Sequence, residues 1–358
     1  MLHLECEGDP LFTKPDNIVN KCLIIQTAFI GDVILSTPVL EKIHGFFPRA
    51  QIDVLLRKGC EGLFHHHPFI GRVWSLDKQI KFKSLLATIK EIRKINYDVV
   101  INLHRHLSSG LITLCSKGQY TVGFDKNPLS LLFSKRVPHR FGDHKHPIHE
   151  VQRNLSLVEF MSDAAFVRPR LYPVNLDFPV DSLNRPHICI APGSVWYTKQ
   201  WPADQWIALI SQLSLIHPGV TIYLLGGKKD FETCERIAAA LNGHGVKNMA
   251  GMLSFLESAA FMQTAIMNYV NDSGPLHMAS AVNAPVAAIF CSTLPEFGFG
   301  PLSDRSAVFE SDEVLDCRPC GLHGRRSCPQ KHFKCSHIDI QKLAAFSVQV
   351  AFVPNVYD

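Results

Sequence analysis

The 358-residue chain has no apolar run approaching the roughly 20 residues that a bilayer-spanning helix requires. Its first twenty residues lack the basic-then-apolar order of a secretory leader and carry Glu5, Glu7, Asp9 and Asp16 instead. Charge of one sign is scarce as well. Thirty-six Lys and Arg against 32 Asp and Glu leave +4, mildly basic and short of the excess that marks a nucleic-acid binder. Eleven cysteines are present, and without a leader they read as reduced thiols rather than a disulfide framework. The expectation is a cytoplasmic protein. With 46% hydrophobic and 19% charged residues the chain is globular, and its length allows two domains with separate cores.

Short apolar runs alternate with helical spacing. Cys22-Leu23-Ile24-Ile25, Gln51 to Leu56, Val73 to Leu76 and Asp98 to Leu103 read as strands, with helices over Val33 to Phe47 and Phe82 to Ile95. A second series follows: His187 to Ala191, a helix over Ala203 to Ile216, Val220 to Leu225, a helix over Phe231 to Leu241, and Val286 to Phe290. This order predicts parallel sheets covered by helices on both faces. The polar, proline-rich stretch 168–186 is the best linker. The division is therefore an extension over 1–20, one Rossmann-like domain over 21–180 and a second over 181–358. Two doubly wound α/β domains on one linker should leave a ligand cleft between the carboxyl ends of their sheets.

Three segments could carry chemistry. Asn271-Asp272-Ser273-Gly274-Pro275-Leu276-His277 ends one strand and opens a helix, which brings backbone N–H groups, a hydroxyl and the positive end of a helix dipole to one point. That suits a phosphate or diphosphate. Asp272 and Ser273 are also good N-cap residues and Pro275 suits a first turn, so an ordinary helix start explains the segment equally well. Thr27-Ala28-Phe29-Ile30-Gly31-Asp32 follows the first strand, with Gly31 for a close turn and Asp32 at a helix start, where the dipole should keep it ionised. Asp32 reads either as a carboxylate satisfied by that dipole or as a base for an incoming hydroxyl. Ser194 to Pro202 opens the second domain with Thr198, Lys199 and two tryptophans; Lys199 reads as a surface lysine or as the partner of a leaving diphosphate.

Together these segments resemble glycosyltransferase family 9, the ADP-heptose:lipopolysaccharide heptosyltransferases. The matching residues are Ile25-Gln26-Thr27-Ala28-Phe29-Ile30-Gly31-Asp32 through Pro38, Ala191-Pro192-Gly193-Ser194 through Pro202, Asn271 through Ala279, and Gly300-Pro301-Leu302. Tyr97 to His104 and Thr121 to Phe124 also look like family positions, and the ordered set runs from about Lys21 to Ile340. The resemblance implies the two-domain glycosyltransferase B fold and an inverting transfer that requires no metal or other cofactor. It also implies ADP-heptose as donor, with Asp32 as general base. Ser194, Thr198, Lys199, Asp272, Ser273, Gly274 and His277 would bind the donor, and Gly226, Gly227, Lys228 and Asp230 would line the nucleoside. The C-terminal helix would brace the first domain. The acceptor would be an anionic, lipid-linked sugar, Kdo-lipid A or its heptosylated form, met by a monomer peripheral to the inner face of the cytoplasmic membrane.

Basic residues between 126 and 149 include Lys126, Lys135, Arg136, Arg140 and Lys145, which suit such an acceptor or simply form a solvated loop. His65-His66-His67 is read as a polar loop, because three consecutive rings do not converge on one ion without strain. Cys317, Cys320, Cys328 and Cys335 begin with zinc-knuckle spacing and read either as ligands of a structural zinc or as free thiols. Their distance in sequence from the other segments gives them no catalytic role. Two alternatives stay open: a glycosyltransferase B enzyme with another nucleotide sugar and acceptor, and a non-catalytic nucleotide-binding protein of that fold.

Overall fold

The computed structural model describes residues 19–142, 146–173, 185–241 and 245–351. The chain divides into two units, Met1–Tyr172 and Pro173–Asp358, and the boundary falls inside the proline-rich stretch.

In the first unit, strands β1 (Lys21–Gln26), β2 (Gln51–Arg57), β3 (Ile70–Leu76), β4 (Val99–Asn102), β5 (Tyr120–Phe124) and β6 (Lys135–Val137) form one sheet in the order β3-β2-β1-β4-β5-β6. All its pairings are parallel. Leu23, Ile25, Leu55 and Val100 present one face to Ile92 of helix α3 (Lys81–Ile92) and to Ile112 of α4 (Leu107–Cys115). Strands buried on both faces explain why these segments read as continuous apolar runs. The Asp53 carboxylate is fully enclosed among them. Asp53 accepts hydrogen bonds from the Tyr97 hydroxyl at 2.6 Å, the Arg72 amide at 2.8 Å and the Gln51 side chain at 2.9 Å.

The helix expected over Val33 to Phe47 is two helices, α1 (Ile30–Ile34) and α2 (Thr37–Phe46). Pro38 has no N–H to give to the Ile34 carbonyl, so the ladder breaks there. The Thr37 hydroxyl takes that carbonyl at 2.8 Å, and the Ser36 hydroxyl takes the Val33 carbonyl at 2.6 Å. Helix α5 (Glu150–Ser156) packs beside α2, and Asn154 donates to the Leu35 carbonyl at 3.0 Å. The end of the unit is then fastened to α2. The Lys42 ammonium meets the Asp163 carboxylate and the carbonyls of Asp163 and Ala165, and the Tyr172 hydroxyl donates to Glu41 at 2.8 Å.

The second unit repeats the plan. Strands β7 (His187–Ala191), β8 (Thr221–Leu224), β9 (Val246–Asn248), β10 (Met267–Asn271), β11 (Val286–Ile289) and β12 (Ser306–Phe309) run in the order β12-β11-β10-β7-β8-β9, again all parallel. Ile188, Ile190 and Ile222 pack on Trp206 and Leu213 of α6 (Ala203–Ile216) and on Ile237 of α7 (Phe231–Ala240). Helices α8 (Phe255–Thr264) and α9 (Gly274–Ala281) flank β10 in sequence. The C-terminal helix α10 (Ile340–Ala351) packs on α6 of this unit, with Ser347 Oγ 2.8 Å from His217 Nε2. In each unit the strand order reverses beside the first strand, between β1 and β4 and between β7 and β10. Doubly wound sheets bind ligands at the carboxyl ends of such strands.

Candidate active site

In the second unit the loop after β7 and the end of β10 meet at that reversal. Asn271 joins them: its side-chain N–H donates to the Pro192 carbonyl at 2.7 Å, and its Oδ1 accepts the Trp201 amide at 3.1 Å. This fixes both ends of the loop that carries Lys199. The Lys199 ammonium then lies 2.6 Å from Asp272 Oδ2, which also accepts the Thr293 hydroxyl at 2.6 Å. Both partners are largely enclosed, with 14% and 6% of their side chains exposed. At this depth water screens the attraction between the two charges less than it does at the surface.

This geometry corrects the helix-cap reading of Asp272 and Ser273. Ser273 occupies the N-cap position of α9, but its hydroxyl donates back to the Asn271 carbonyl at 3.3 Å and caps nothing. Asp272 turns to Lys199 and Thr293, whose charge and short hydroxyl contact outcompete a backbone amide. Pro275 sits in the first turn and brings no N–H. Gly274 opens α9, and His277 is buried further along it, its ring 6.2 Å from that of Phe299.

The loop after β8 closes on the same end of the sheet. The Asp230 carboxylate accepts the Gly227 amide at 2.8 Å and lies against both Gly193 and Gly226. A Cβ on Gly193 would stand 2.4 Å from Asp230 Oδ1, so any larger residue there must displace that carboxylate. Asp230 is thus turned inward as a brace for two loops. Lys228 packs against Gly251, and Ser194 gives its carbonyl to the Gln200 side chain at 2.6 Å.

In the first unit, Thr27 after β1 and His104 after β4 meet across the reversal, with Oγ1 and Nδ1 3.0 Å apart. Burial pushes His104 down to about 3, and the nearby Lys78, His106 and Arg105 push it the same way, so the ring is neutral near pH 7. Asp32 is the third residue of α1, half-buried, and accepts the Phe29 amide at 3.2 Å. Gly31 lies inside this helix and not in a turn before it. Lys78 feels burial first, which lowers its pKa, then Arg57 in the same direction and Asp32 in the opposite one. Arg57 ends β2 and stacks over Phe29 at 4.7 Å; Arg105, three residues beyond β4, lies over Phe141 at 5.8 Å. Arg57, Lys78 and Arg105 therefore share the carboxyl edge with Asp32, a cluster the sequence reading missed because its members are scattered singly along the chain.

Of the basic residues singled out earlier, Lys126 and Arg140 follow β5 and β6 on this edge and are exposed. Lys135 and Arg136 belong to β6 itself, with Lys135 over the Phe160 ring at 4.9 Å, and Lys145 lies outside the described residues. In the histidine run, His65 and His66 are exposed, but His67 packs edge-on to Phe69 and Tyr172 at 4.5 and 4.7 Å, and burial pushes it down to about 4.

The cysteine segment is remote in sequence but not in space. Cys317, Cys320, Cys328 and Cys335 line one cavity with His332 and Thr198. Thr198 Oγ1 accepts the Arg325 amide at 2.8 Å, one residue from Lys199. Among the described residues no group of three or more His, Cys, Asp or Glu is arranged to hold a metal ion. The four thiols share this cavity, and burial together with the neighbouring thiols pushes the Cys320 and Cys335 thiols up. The cysteines at the described positions form no disulfide.

The family model for glycosyltransferase family 9 (heptosyltransferase) matches residues 85–322. Lipopolysaccharide heptosyltransferase 3 of Escherichia coli K12 is 26% identical over 284 residues, covering 74% of this chain and 80% of that protein. Lipopolysaccharide heptosyltransferase 1 of Campylobacter coli is 28% identical over 295 residues, 76% and 84% of the two chains. Among solved structures, the E. coli heptosyltransferase WaaC with ADP aligns over 92% of this chain and 100% of its own, with a TM-score of 0.71 at 18% identity. Two doubly wound units in sequence are the glycosyltransferase B fold, and the chain belongs to glycosyltransferase family 9, the heptosyltransferase family.

Proposed function

We propose that the chain is an inverting, metal-independent heptosyltransferase. It would move a heptose from ADP-L-glycero-D-manno-heptose to Kdo-lipid A or heptosyl-Kdo-lipid A in the lipopolysaccharide inner core. The observation that carries this reading is the enclosed Lys199–Asp272–Thr293 network at the reversal of the second sheet. Support also comes from the relatives' names and from the ADP bound to WaaC. The second unit then takes the donor. Lys199, the amides of Ser273 and Gly274 and the start of α9 would receive the charge that develops on the departing ADP. With these groups in place no step calls for a divalent ion.

The first unit supplies the base and the acceptor site. Asp32 would take the proton of the acceptor hydroxyl as its oxygen attacks the anomeric carbon on the face opposite ADP. His104, held neutral, leaves Arg57, Lys78 and Arg105 as the positive groups around it, suited to the phosphates and carboxylates of Kdo-lipid A. Lys126 and Arg140 would extend that surface toward the inner face of the membrane, which the protein would visit as a peripheral monomer.

Calorimetric titration with ADP and UDP tests the donor assignment. ADP should bind and UDP should bind at least about tenfold more weakly, the difference of one lost contact set. UDP binding more tightly than ADP would favour a different nucleotide sugar and sink the assignment.

A further inference from the structure

The loop that carries Lys199 is tied to the cysteine-rich segment residue by residue. The Tyr197 ring lies 5.6 Å from that of Phe333. Thr198 and Arg325 bond in both directions: the Arg325 amide donates to Thr198 Oγ1 at 2.8 Å and the Thr198 amide donates to the Arg325 carbonyl at 3.1 Å. Lys199 passes beside Gly324, and the Trp201 indole N–H donates to the Ser336 carbonyl at 2.8 Å. The same segment grips the other side of the network. The Arg318 guanidinium donates to the carbonyls of Cys291 at 2.6 Å, Thr293 at 2.8 Å and Phe290 at 3.2 Å and pairs with Glu310. The Cys320 amide donates to the Ser292 carbonyl at 2.9 Å, and the Ser292 hydroxyl donates to Thr198 Oγ1 at 2.9 Å.

We propose that residues 317–336 are a positioning element for the diphosphate site. They hold Lys199 from one side through Thr198 and Gly324, and Asp272 from the other through Arg318 and Thr293. None of these residues need touch the donor. The inference rests on the reading of Lys199 as the diphosphate ligand. It assigns a role to the cysteine segment that requires neither metal nor disulfide: the segment is the back wall against which the Lys199–Asp272 pair is set.

Two glycines in the segment separate this role from general stability. Gly324 (φ +75°) and Gly321 (φ +94°) both have left-handed backbone, so alanine strains either one to a similar degree. A Cβ on Gly324 would stand 3.0 Å from both Lys199 Cγ and Thr198 Oγ1, whereas a Cβ on Gly321 would meet nothing within 4 Å. Gly324→Ala must displace the lysine stem or the threonine, and Gly321→Ala must not.

The test is binding of ADP and of adenosine to the full chain and to Gly324→Ala, Gly321→Ala and Lys199→Ala. Gly324→Ala should weaken ADP binding about tenfold, leave adenosine binding unchanged and move the melting temperature no more than Gly321→Ala. Thr198→Val should act in the same direction, with Thr198→Ser restoring wild-type affinity. Equal ADP affinities in the two glycine variants would overturn the proposal, as would parallel losses for ADP and adenosine. ADP binding that survives Lys199→Ala would overturn the donor-site reading first and this inference with it.

Discussion

Lys199 and Asp272 are each costly to bury alone, and each is kept by the other. Removing one charge of an enclosed pair strands its partner, which typically costs about 3–5 kcal/mol, less here because Thr293 still bonds Asp272. Lys199→Ala should therefore lower the thermal midpoint and also weaken ADP binding roughly a hundredfold, read by melting and calorimetry. Asp32 should behave oppositely. It is half-buried on the first unit and accepts the Phe29 amide, a bond that an asparagine oxygen also accepts, so Asp32→Asn should leave both the fold and ADP affinity intact. Its turnover should fall by about 10² to 10⁴, the usual contribution of a positioned base. Wild-type turnover in Asp32→Asn would remove Asp32 from the mechanism.

At the scale of elements, the loop between β7 and α6 is the part on which the site depends most. Trp201 is buried edge-on to Trp206 with ring centres 4.9 Å apart, and its two N–H groups reach Asn271 and Ser336. Trp201→Ala should cost about 3–5 kcal/mol by cavity formation and lost bonds, measured by denaturant unfolding. A loss under 1 kcal/mol would show that the loop is held elsewhere. How much of this was legible beforehand depends on what holds each element. Helix α6 and strand β7 were read at their observed limits, because a strong apolar period and flanking prolines mark them. The break between α1 and α2 was missed because Pro38 and two hydroxyls, not the hydrophobic pattern, decide it. Strands β6, β9 and β12 are short, and edge pairing rather than composition makes them strands. The candidate site divides the same way. Asp32 and Asp272 stood out as polar residues following strands and Lys199 as a lysine on a loop ahead of a helix, whereas Thr293 and Gly324 matter through contacts with Asp272 and Lys199, and Arg318 through its grip on the Thr293 carbonyl.

At the scale of the whole molecule, burial holds three imidazoles among the described residues of the first unit well below 6.5: His67 at about 4, His104 at about 3 and His139 at about 4. An unfolded chain takes up protons at these positions near pH 6.5, while the native unit stays neutral there down to about pH 4. Their contribution to stability is therefore complete above pH 6.5 and is lost progressively as pH falls toward 4. Denaturant midpoints should drop between pH 7 and pH 5, and His67→Phe, which fills the place between Phe69 and Tyr172 without a titrating ring, should flatten that slope. An unchanged slope in His67→Phe would mean that His67 takes up its proton at the same pH in the native unit as in the unfolded chain. Both units place polar side chains at the same reversal of strand order, Thr27 and His104 in the first and Lys199 and Asp272 in the second. The account as a whole is tested most directly by the mass of the acceptor after the protein is incubated with ADP-heptose and Kdo-lipid A. It predicts an acceptor heavier by one heptose and an equal amount of ADP released; ADP-heptose left intact while a UDP sugar is consumed would contradict it.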